Sequence, residues 1–193
     1  MGRVPADKPR HLQSSRDMFL SIIPLVLVVL ALAGLARACS FSPGGPTASA
    51  PPSVDAGAAL SMDARTVSFP LRSPELPAGW VSNSGNRHTV AGAQGGVAED
   101  TGWISPAGRY LRLAQSSASE NALVTDEVSG RRTASGVASA GGRDWVVYAQ
   151  QDVESVWVAN LGDVRLLITG SGTNDEFRTL AAATAQAAPL SRQ

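Results

Sequence analysis

The sequence predicts an α+β domain that follows a single N-terminal transmembrane helix. The first observation is an uncharged apolar run over residues 18–36, between Asp17 and Arg37. As a helix these residues span roughly 28 Å, about the thickness of a bilayer's hydrocarbon core. The second observation is a series of short β-branched and aromatic runs that ends in an amphipathic helix. We therefore expect an antiparallel sheet covered by helices.

The charges on either side of the apolar run orient it. Basic side chains precede it, whereas Arg37 follows it and the next basic residue is Arg65. Positive charge near a membrane stays on the cytoplasmic side, so we expect a single-pass protein of the cell membrane with its N-terminus inside. The chain then divides into five parts: a cytoplasmic tail (1–17), a transmembrane helix (18–36), a Pro/Ser/Ala-rich linker (37–59), an exported α+β domain (60–188) and a C-terminal tail (189–193).

Two other fates of the apolar run stay open. Ala36-Arg37-Ala38 fits the A-x-A pattern of a signal-peptide cleavage site, although the run is longer than the usual stretch of about 7–15 residues. Cys39 would carry the lipid of a lipoprotein, but Arg37 fits the residue pattern of such a site poorly. An uncleaved anchor is the interpretation that the length of the run favours.

Composition excludes some classes of protein for the remaining chain. Residues 40–193 carry 11 Arg and 14 Asp or Glu side chains, a small negative excess. A nucleic-acid binder needs a basic face, so we expect no nucleic-acid partner. Cys39 is the only cysteine, so the exported domain can form no internal disulfide and must be stabilised by packing.

The sequence of the domain predicts mainly strands. A short helix is expected at 58–64, and Ser119 should cap another that runs to about residue 128. The turn at 105–108 should connect two strands as a hairpin. Strands are predicted at 66–70, 80–83, 87–91, 95–104, 109–115, 143–150, 155–160 and 164–169.

The chain closes with an amphipathic helix over residues 173–187. Thr173 and Glu176 form a capping box at its start. Apolar and small side chains then recur at helical spacing and should pack on the sheet. These are Phe177, Leu180, Ala181 and Thr184, and they should lie over Trp145, Val147, Leu166 and Ile168.

Two groups of segments resemble a known family. The anchor segments Lys8-Pro9-Arg10, Arg16-Asp17-Met18 and Ile23-Pro24-Leu25, with the exit at residues 39–46, resemble domain-of-unknown-function family 4245. Phe69-Pro70, Leu76-Pro77, Gly79-Trp80 and the hairpin at 102–115 are similar to it as well. The resemblance implies an actinobacterial single-pass membrane protein with an exported domain. The family has no assigned activity or catalytic residues, so no site follows from the resemblance.

A second likeness concerns the fold alone. The Phe-Pro segment, the Leu-Pro-x-Gly-Trp segment, the helix and the three-strand meander before the last helix resemble a PsbP-type α/β/α sandwich. Small exported binding proteins of the bacterial envelope share that fold, which implies a binding role.

No sequence pattern predicts a catalytic, cofactor or metal site. His88 is the one histidine of the exported domain, whereas zinc takes three or four His, Cys or carboxylate ligands, so we expect a surface or turn residue. The carboxylate pairs Glu99-Asp100, Asp126-Glu127 and Asp152/Glu154 suit acid–base chemistry, but such pairs more often lie on solvated edges. The glycines at 92–96 and 141–142 should form turns, and Trp80, Trp103, Trp145 and Trp157 should pack in the core.

We therefore expect no enzyme and no cofactor. The leading hypothesis is an anchored binding module of the bacterial cell envelope, whose partner is a lipid, a cell-wall fragment or a membrane protein. The alternative is a cell-wall hydrolase or transferase that uses a carboxylate pair. A pocket distinguishes them, because an enzyme converges Asp or Glu in a cleft and a binding module presents an apolar groove or a flat patch.

Overall fold

The structure is a computed structural model that describes residues 15–35, 53–127, 132–150 and 153–191. The chain forms two compact units, Met1–Ser49 and Ala50–Gln193. Most of the predicted cytoplasmic tail and linker, together with Cys39, lies outside the described residues.

The described part of the first unit is one helix, α1 (Ser15–Leu35), which contains Pro24. Its described side chains, at positions 19, 20 and 22–32, are exposed and almost all large and apolar. Among the described residues, no helix combines the length and the apolar character of a membrane span.

The second unit is built on one antiparallel sheet, as the sequence predicts. Its seven strands lie in the order β1-β2-β3-β7-β6-β5-β4. Their bounds are β1 (Val81–Val90), β2 (Gly96–Ile104), β3 (Tyr110–Ser116), β4 (Gly136–Ala140), β5 (Arg143–Gln150), β6 (Val153–Asn160) and β7 (Arg165–Gly170). Three helices complete the unit: α2 (Ala56–Asp63), α3 (Glu120–Glu127) and α4 (Asn174–Gln186).

Helices α2 and α4 cover one face of the sheet, which we call the α2 face. The core there includes Trp145 of β5 and Trp157 of β6, which lie with Phe177 of α4 in one apolar cluster. The Trp157 and Phe177 ring centroids are 5.4 Å apart. The predicted capping box of Thr173 and Glu176 is present at the start of α4. Trp103 is also buried in this cluster, and Trp80 and Val147 pack against it.

Helix α3 covers part of the opposite face, which we call the α3 face. Leu123 and Val124 of α3 are buried against aliphatic side chains of the sheet. These partners are Val90, Ala98, Ala114, Val156, Val158 and Leu167. Because strand side chains alternate between faces, Leu166 and Ile168 lie on the α2 face and Leu167 on the α3 face. The described unit is therefore an α+β fold with helices on both faces.

The structure corrects several predicted element boundaries. Residues 66–70 form turns and bends instead of a strand; Phe69 is buried, and Pro70 has no N–H to give to a ladder. The two strands predicted at 80–83 and 87–91 are one strand, β1, with a register shift between Ser82 and Ser84. Strand β4 was not predicted, because Gly136-Val-Ala-Ser-Ala consists largely of residues with weak strand preference.

The folded unit also extends beyond the predicted 60–188 at both ends. Asp55 caps α2 by accepting a hydrogen bond from the Ala58 N–H at 2.9 Å, and α2 begins within the predicted linker. At the other end, the Leu190 N–H donates to the Leu71 carbonyl at 2.8 Å, within the predicted tail.

A buried glutamine joins the segment before β1 to the centre of the sheet. Gln115 of β3 is fully buried, and its amide imitates a strand neighbour. Its Oε1 accepts from the Arg72 N–H, and its Nε2 donates to the Arg72 carbonyl, both at 2.8 Å. Arg72 also forms a β-bridge with Pro189. The segment before β1 and the segment after α4 are therefore bonded to each other and, through Gln115, to the core.

Two consecutive glycines form the turn between β4 and β5, as the sequence predicts. Gly141 and Gly142 have φ values of 61° and 73°, the left-handed region that a two-residue hairpin turn requires. A Cβ on Gly141 would lie 2.8 Å from the Cα of Ala182 on α4. The first glycine therefore also permits close packing of α4.

Removing the Phe177 ring tests the packing of α4 on the sheet. Phe177 is 1 % exposed, so Phe177→Ala should lower the free energy of unfolding by about 3–5 kcal/mol. Urea unfolding of the fragment 50–193 measures this loss. Its neighbour Arg178 is half exposed and contacts Asp175, so Arg178→Ala should change stability by less than about 0.5 kcal/mol. Equal effects of the two substitutions would contradict the packing of Phe177.

Candidate functional site

The carboxylates of Glu99 and Asp100 are adjacent in sequence but lie on opposite faces of the sheet. Both residues belong to β2, in which successive side chains alternate. Glu99 pairs across the strands with Arg87, and Asp100 pairs with Asn86. The predicted pair therefore does not act as a unit, and each carboxylate belongs to a separate charged network beside the edge strand β1.

The first network lies on the α2 face. Arg87 of β1 donates from Nε to Glu99 Oε2 at 2.7 Å and from Nη2 to Asp63 Oδ1 of α2 at 2.9 Å. Glu99 is almost fully buried, whereas Asp63 and Arg87 are partly exposed. One guanidinium thus connects two carboxylates, so this network keeps a negative excess.

The second network lies on the α3 face and centres on Asp100. Its Oδ2 accepts from Arg112 Nη1 at 2.9 Å and lies 3.2 Å from His88 Nδ1. The other ring nitrogen of His88, Nε2, lies 3.1 Å from Asp126 Oδ2, and Arg112 also bonds to Glu127. The contact of Nε2 with Asp126 is a hydrogen bond, and since an ionised carboxylate only accepts, Nε2 is the donor.

The structure therefore converges carboxylates that the sequence places far apart. His88, which was expected at the surface or in a turn, lies within β1 with 29 % of its side chain exposed. Asp126 and Glu127 lie at the end of α3. Reasoning from the sequence missed Arg112, because its role depends on the pairing of β2 with β3. The only signal available was an arginine between the leucines of an alternating strand.

Burial perturbs the pKa of three acids in the two networks, Glu99, Asp100 and Glu127. It raises the pKa of Glu99, a shift that the hydrogen bond from Arg87 opposes. It likewise raises the pKa of Asp100 and of Glu127, against the lowering effect of Arg112. The Asp100 side chain is 7 % exposed, and its Oδ1 has no hydrogen-bond partner among the described groups. The ionised form of each acid therefore carries a desolvation penalty that its cation offsets only in part.

A groove of about 450 Å³ lies between α2 and the first two strands, and we call it the α2 groove. One wall is apolar and carries Val54, Ala56, Ala59 and Leu60. The other wall is polar and carries Asp63, Arg87, Glu99 and residues 84–86 of β1. The groove thus meets β1 from the α2 face.

A smaller cavity of about 230 Å³ meets the same stretch of β1 and contains Asp100 and Arg112 of the α3-face network, and we call it the Tyr110 pocket. It is lined by Ser84, Gly85, Asn86, Asp100, Gly102, Tyr110 and Arg112. The hydroxyls of Ser84 and Tyr110 lie 3.4 Å apart. A Cβ on Gly102 would lie 2.6 Å from the Tyr110 hydroxyl, so only glycine leaves this space open.

The other candidates do not form a site. Glu154 lies at the start of β6, and Asp152 is outside the described residues. Within the described ranges, no group of His, Cys, Asp and Glu side chains is arranged to hold a metal ion. A depression of about 520 Å³ at the end of α4 is lined mainly by small residues, with Glu75 as its one ionisable group. The charged surroundings of β1 are therefore the strongest candidate.

The pH dependence of stability tests the burial of Asp100. The raised pKa of Asp100 means that the native state binds this proton more tightly than the unfolded state does. Protonation of Asp100 therefore stabilises the native state fully below the ordinary pKa of 3.8, and this stabilisation is lost as pH rises through the raised value. The wild type should therefore gain stability relative to Asp100→Asn as pH falls from 7 to 4. Urea unfolding of both proteins at each pH measures the difference.

Glu176 provides a control, because its pKa shift has the opposite sign to that of Asp100. Hydrogen bonds from Ser105 and from the Thr173 backbone lower its pKa. Its stabilising contribution is present above the ordinary carboxyl range and is lost as pH falls through the lowered value. The wild type should therefore lose stability relative to Glu176→Gln over the same pH series. The same trend for both substitutions would contradict the assignment for Asp100.

Comparisons with known proteins agree with the resemblance seen in the sequence. A model of the family described as "Protein of unknown function (DUF4245)" matches residues 10–184, which is most of the chain. No curated protein and no solved structure matches the chain. On the extent of the family match, the chain belongs to the DUF4245 family.

Proposed function

We propose that this chain is a non-enzymatic binding module of the bacterial cell envelope, anchored in the membrane by residues 18–36. The observation that carries this proposal is the α2 groove, which has an apolar wall at α2 and a charged wall formed by β1, β2 and Asp63. Such a groove suits a ligand with both apolar and polar parts. An envelope lipid, a cell-wall fragment or a segment of a membrane protein has this character.

The anchor is supported by the apolar run and by the surface of α1. No charged side chain interrupts residues 18–36, and the described side chains of α1 are exposed. An apolar surface of this extent is uncommon on a soluble monomer. The basic residues before the run favour a cytoplasmic N-terminus and an extracytoplasmic domain.

The fold supports a binding role by analogy alone. Helices on both faces of an antiparallel sheet fit the α/β/α layering of the PsbP-type sandwich. We propose kinship with that fold on this layering and on the Leu-Pro-x-Gly-Trp segment at residues 76–80. A fold hosts many functions, so the binding role itself rests on the α2 groove.

The alternative is a cell-wall hydrolase or transferase, and one observation favours it. Asp100 and Asp126 face each other across His88, and burial raises the pKa of Asp100, as a general acid requires. However, protein side chains occupy the space between the carboxylates. His88 lies between Asp100 and Asp126, and Arg112 lies between Asp100 and Glu127. Because each of these carboxylates is already in contact with a protein side chain, the arrangement favours a binding role.

Site-specific crosslinking tests the α2 groove as the binding surface. A photoreactive amino acid at Ala59, on the apolar wall, should capture an envelope component when the full-length chain is irradiated in its native membrane. Mass spectrometry of the adduct distinguishes a lipid, a glycan and a protein. The control carries the same photoreactive amino acid in place of Arg178, on the exposed side of α4. Equal capture from both positions would contradict a groove-specific ligand.

The membrane topology has a separate test. Protease added to intact spheroplasts should remove the folded unit and leave an N-terminal tag intact, because the tag lies inside. Detergent should then expose the tag as well. A folded unit that survives protease until detergent is added would contradict an extracytoplasmic domain.

A further inference from the structure

Strand β1 is an open edge of the sheet. Nine of its ten residues pair with β2, and it is the first strand in the sheet order. Among the described residues, one backbone bond reaches its outer side: the Val54 N–H donates to the Ser82 carbonyl at 2.9 Å. The irregular register lies next to that contact, between Ser82 and Ser84. Residues 84–90 are therefore a regular strand, and among the described strands none lies beside their outward N–H and C=O groups.

Two cavities flank this free stretch on opposite faces of the sheet. The α2 groove and the Tyr110 pocket share residues 84–86 of β1 as part of their walls. Successive side chains of a strand point to opposite faces. An additional strand beside β1 would therefore direct alternate side chains toward the two cavities. Space is open beside Gly85, since a Cβ there would meet only the Asp100 carbonyl, at 3.8 Å.

The surroundings of this edge carry an excess of negative charge. Two guanidinium groups and one imidazole contact five carboxylates in the two networks. The carboxylates are Asp63, Glu99, Asp100, Asp126 and Glu127. A basic partner is therefore attracted, whereas a second copy of this edge would bring like charges together.

We propose that residues 84–90 of β1 bind an extended basic segment of another polypeptide, which adds to the sheet as an eighth strand. Main-chain hydrogen bonds to β1 provide the affinity, and the two flanking cavities select alternate side chains. The inference rests on the proposed binding function and names its partner class. The opposite edge, β4, is less suited, because it has five residues, none of them charged.

The first experiment selects binders without assuming a sequence. The full-length chain in detergent micelles is screened against a phage-displayed library of random nonapeptides. Enriched peptides should carry Arg or Lys together with β-branched residues, in an alternating pattern. Their affinity should fall as NaCl rises from 50 to 500 mM, because salt screens exposed charges. A screen without enrichment, or enrichment without basic residues, would overturn the proposal.

The second experiment tests the strand geometry directly. In a strand added to an edge, every second residue directs its N–H toward the neighbouring strand, and the others direct it toward solvent. Two versions of an enriched peptide are synthesised, N-methylated at odd or at even positions. One version should bind at least about tenfold more weakly and the other nearly normally, since only one set of lost hydrogen bonds faces β1. Equal affinity of the two versions would overturn the proposal.

A matched pair of variants locates the partner. Asp63→Asn, beside β1, should weaken binding of the basic peptide several-fold. Asp175→Asn makes the same chemical change at an exposed position of α4 and should leave the affinity unchanged. Equal effects of the two variants would overturn the assignment to β1. If Ala59 captures a lipid or a glycan while the library yields nothing, the binding function stands and the added strand is wrong. If neither method finds a ligand, both proposals fail.

Discussion

The pairing of β3 with β7 is the constraint on which the rest of the folded unit depends. It joins two separate antiparallel groups of strands, β1-β2-β3 and β4-β5-β6-β7, into one sheet. The two strands are brought together after an intervening helix and three further strands, and no disulfide assists because the chain has a single cysteine. Burial on both faces must therefore hold this junction: Leu113 and Ile168 pack on the α2 face, and Ala114 and Leu167 on the α3 face.

The same junction positions the charged networks. Arg112 lies on β3, one position from Leu113, and reaches Asp100 on the neighbouring strand β2 and Glu127 on α3. Because α3 follows β3 and packs against β7 and β6, the location of Glu127 depends on the centre of the sheet. The charged margin around β1 is thus supported from the interior. Its buried acids are tolerated because cations fixed by the same framework lie within hydrogen-bonding distance.

Local patterns predicted much of the fold. Runs of β-branched and aromatic residues between turn signals identified the strands after residue 95 except β4. Thr173 with Glu176 marked the start of α4, because these signals act within a few residues. The strand predicted at 66–70 was wrong. Thr, Val and Phe prefer strands, but Phe69 is buried without being part of a strand ladder. The candidate site was largely hidden from the sequence. The contacts of Arg87 with Glu99, and of His88 with Asp126, require strand register and helix placement that no local pattern encodes.

Through Gln115, the segment after α4 contributes to the stability of the buried core. Leu190 and Pro189 hold residues 71–72 in place, and Arg72 in turn provides both partners of the buried Gln115 amide. A buried amide that loses its partners is costly, whereas an exposed tail that frays is not. A deletion that removes Pro189 and Leu190 therefore acts as a core substitution, and a fusion partner belongs after Leu190 and not in its place.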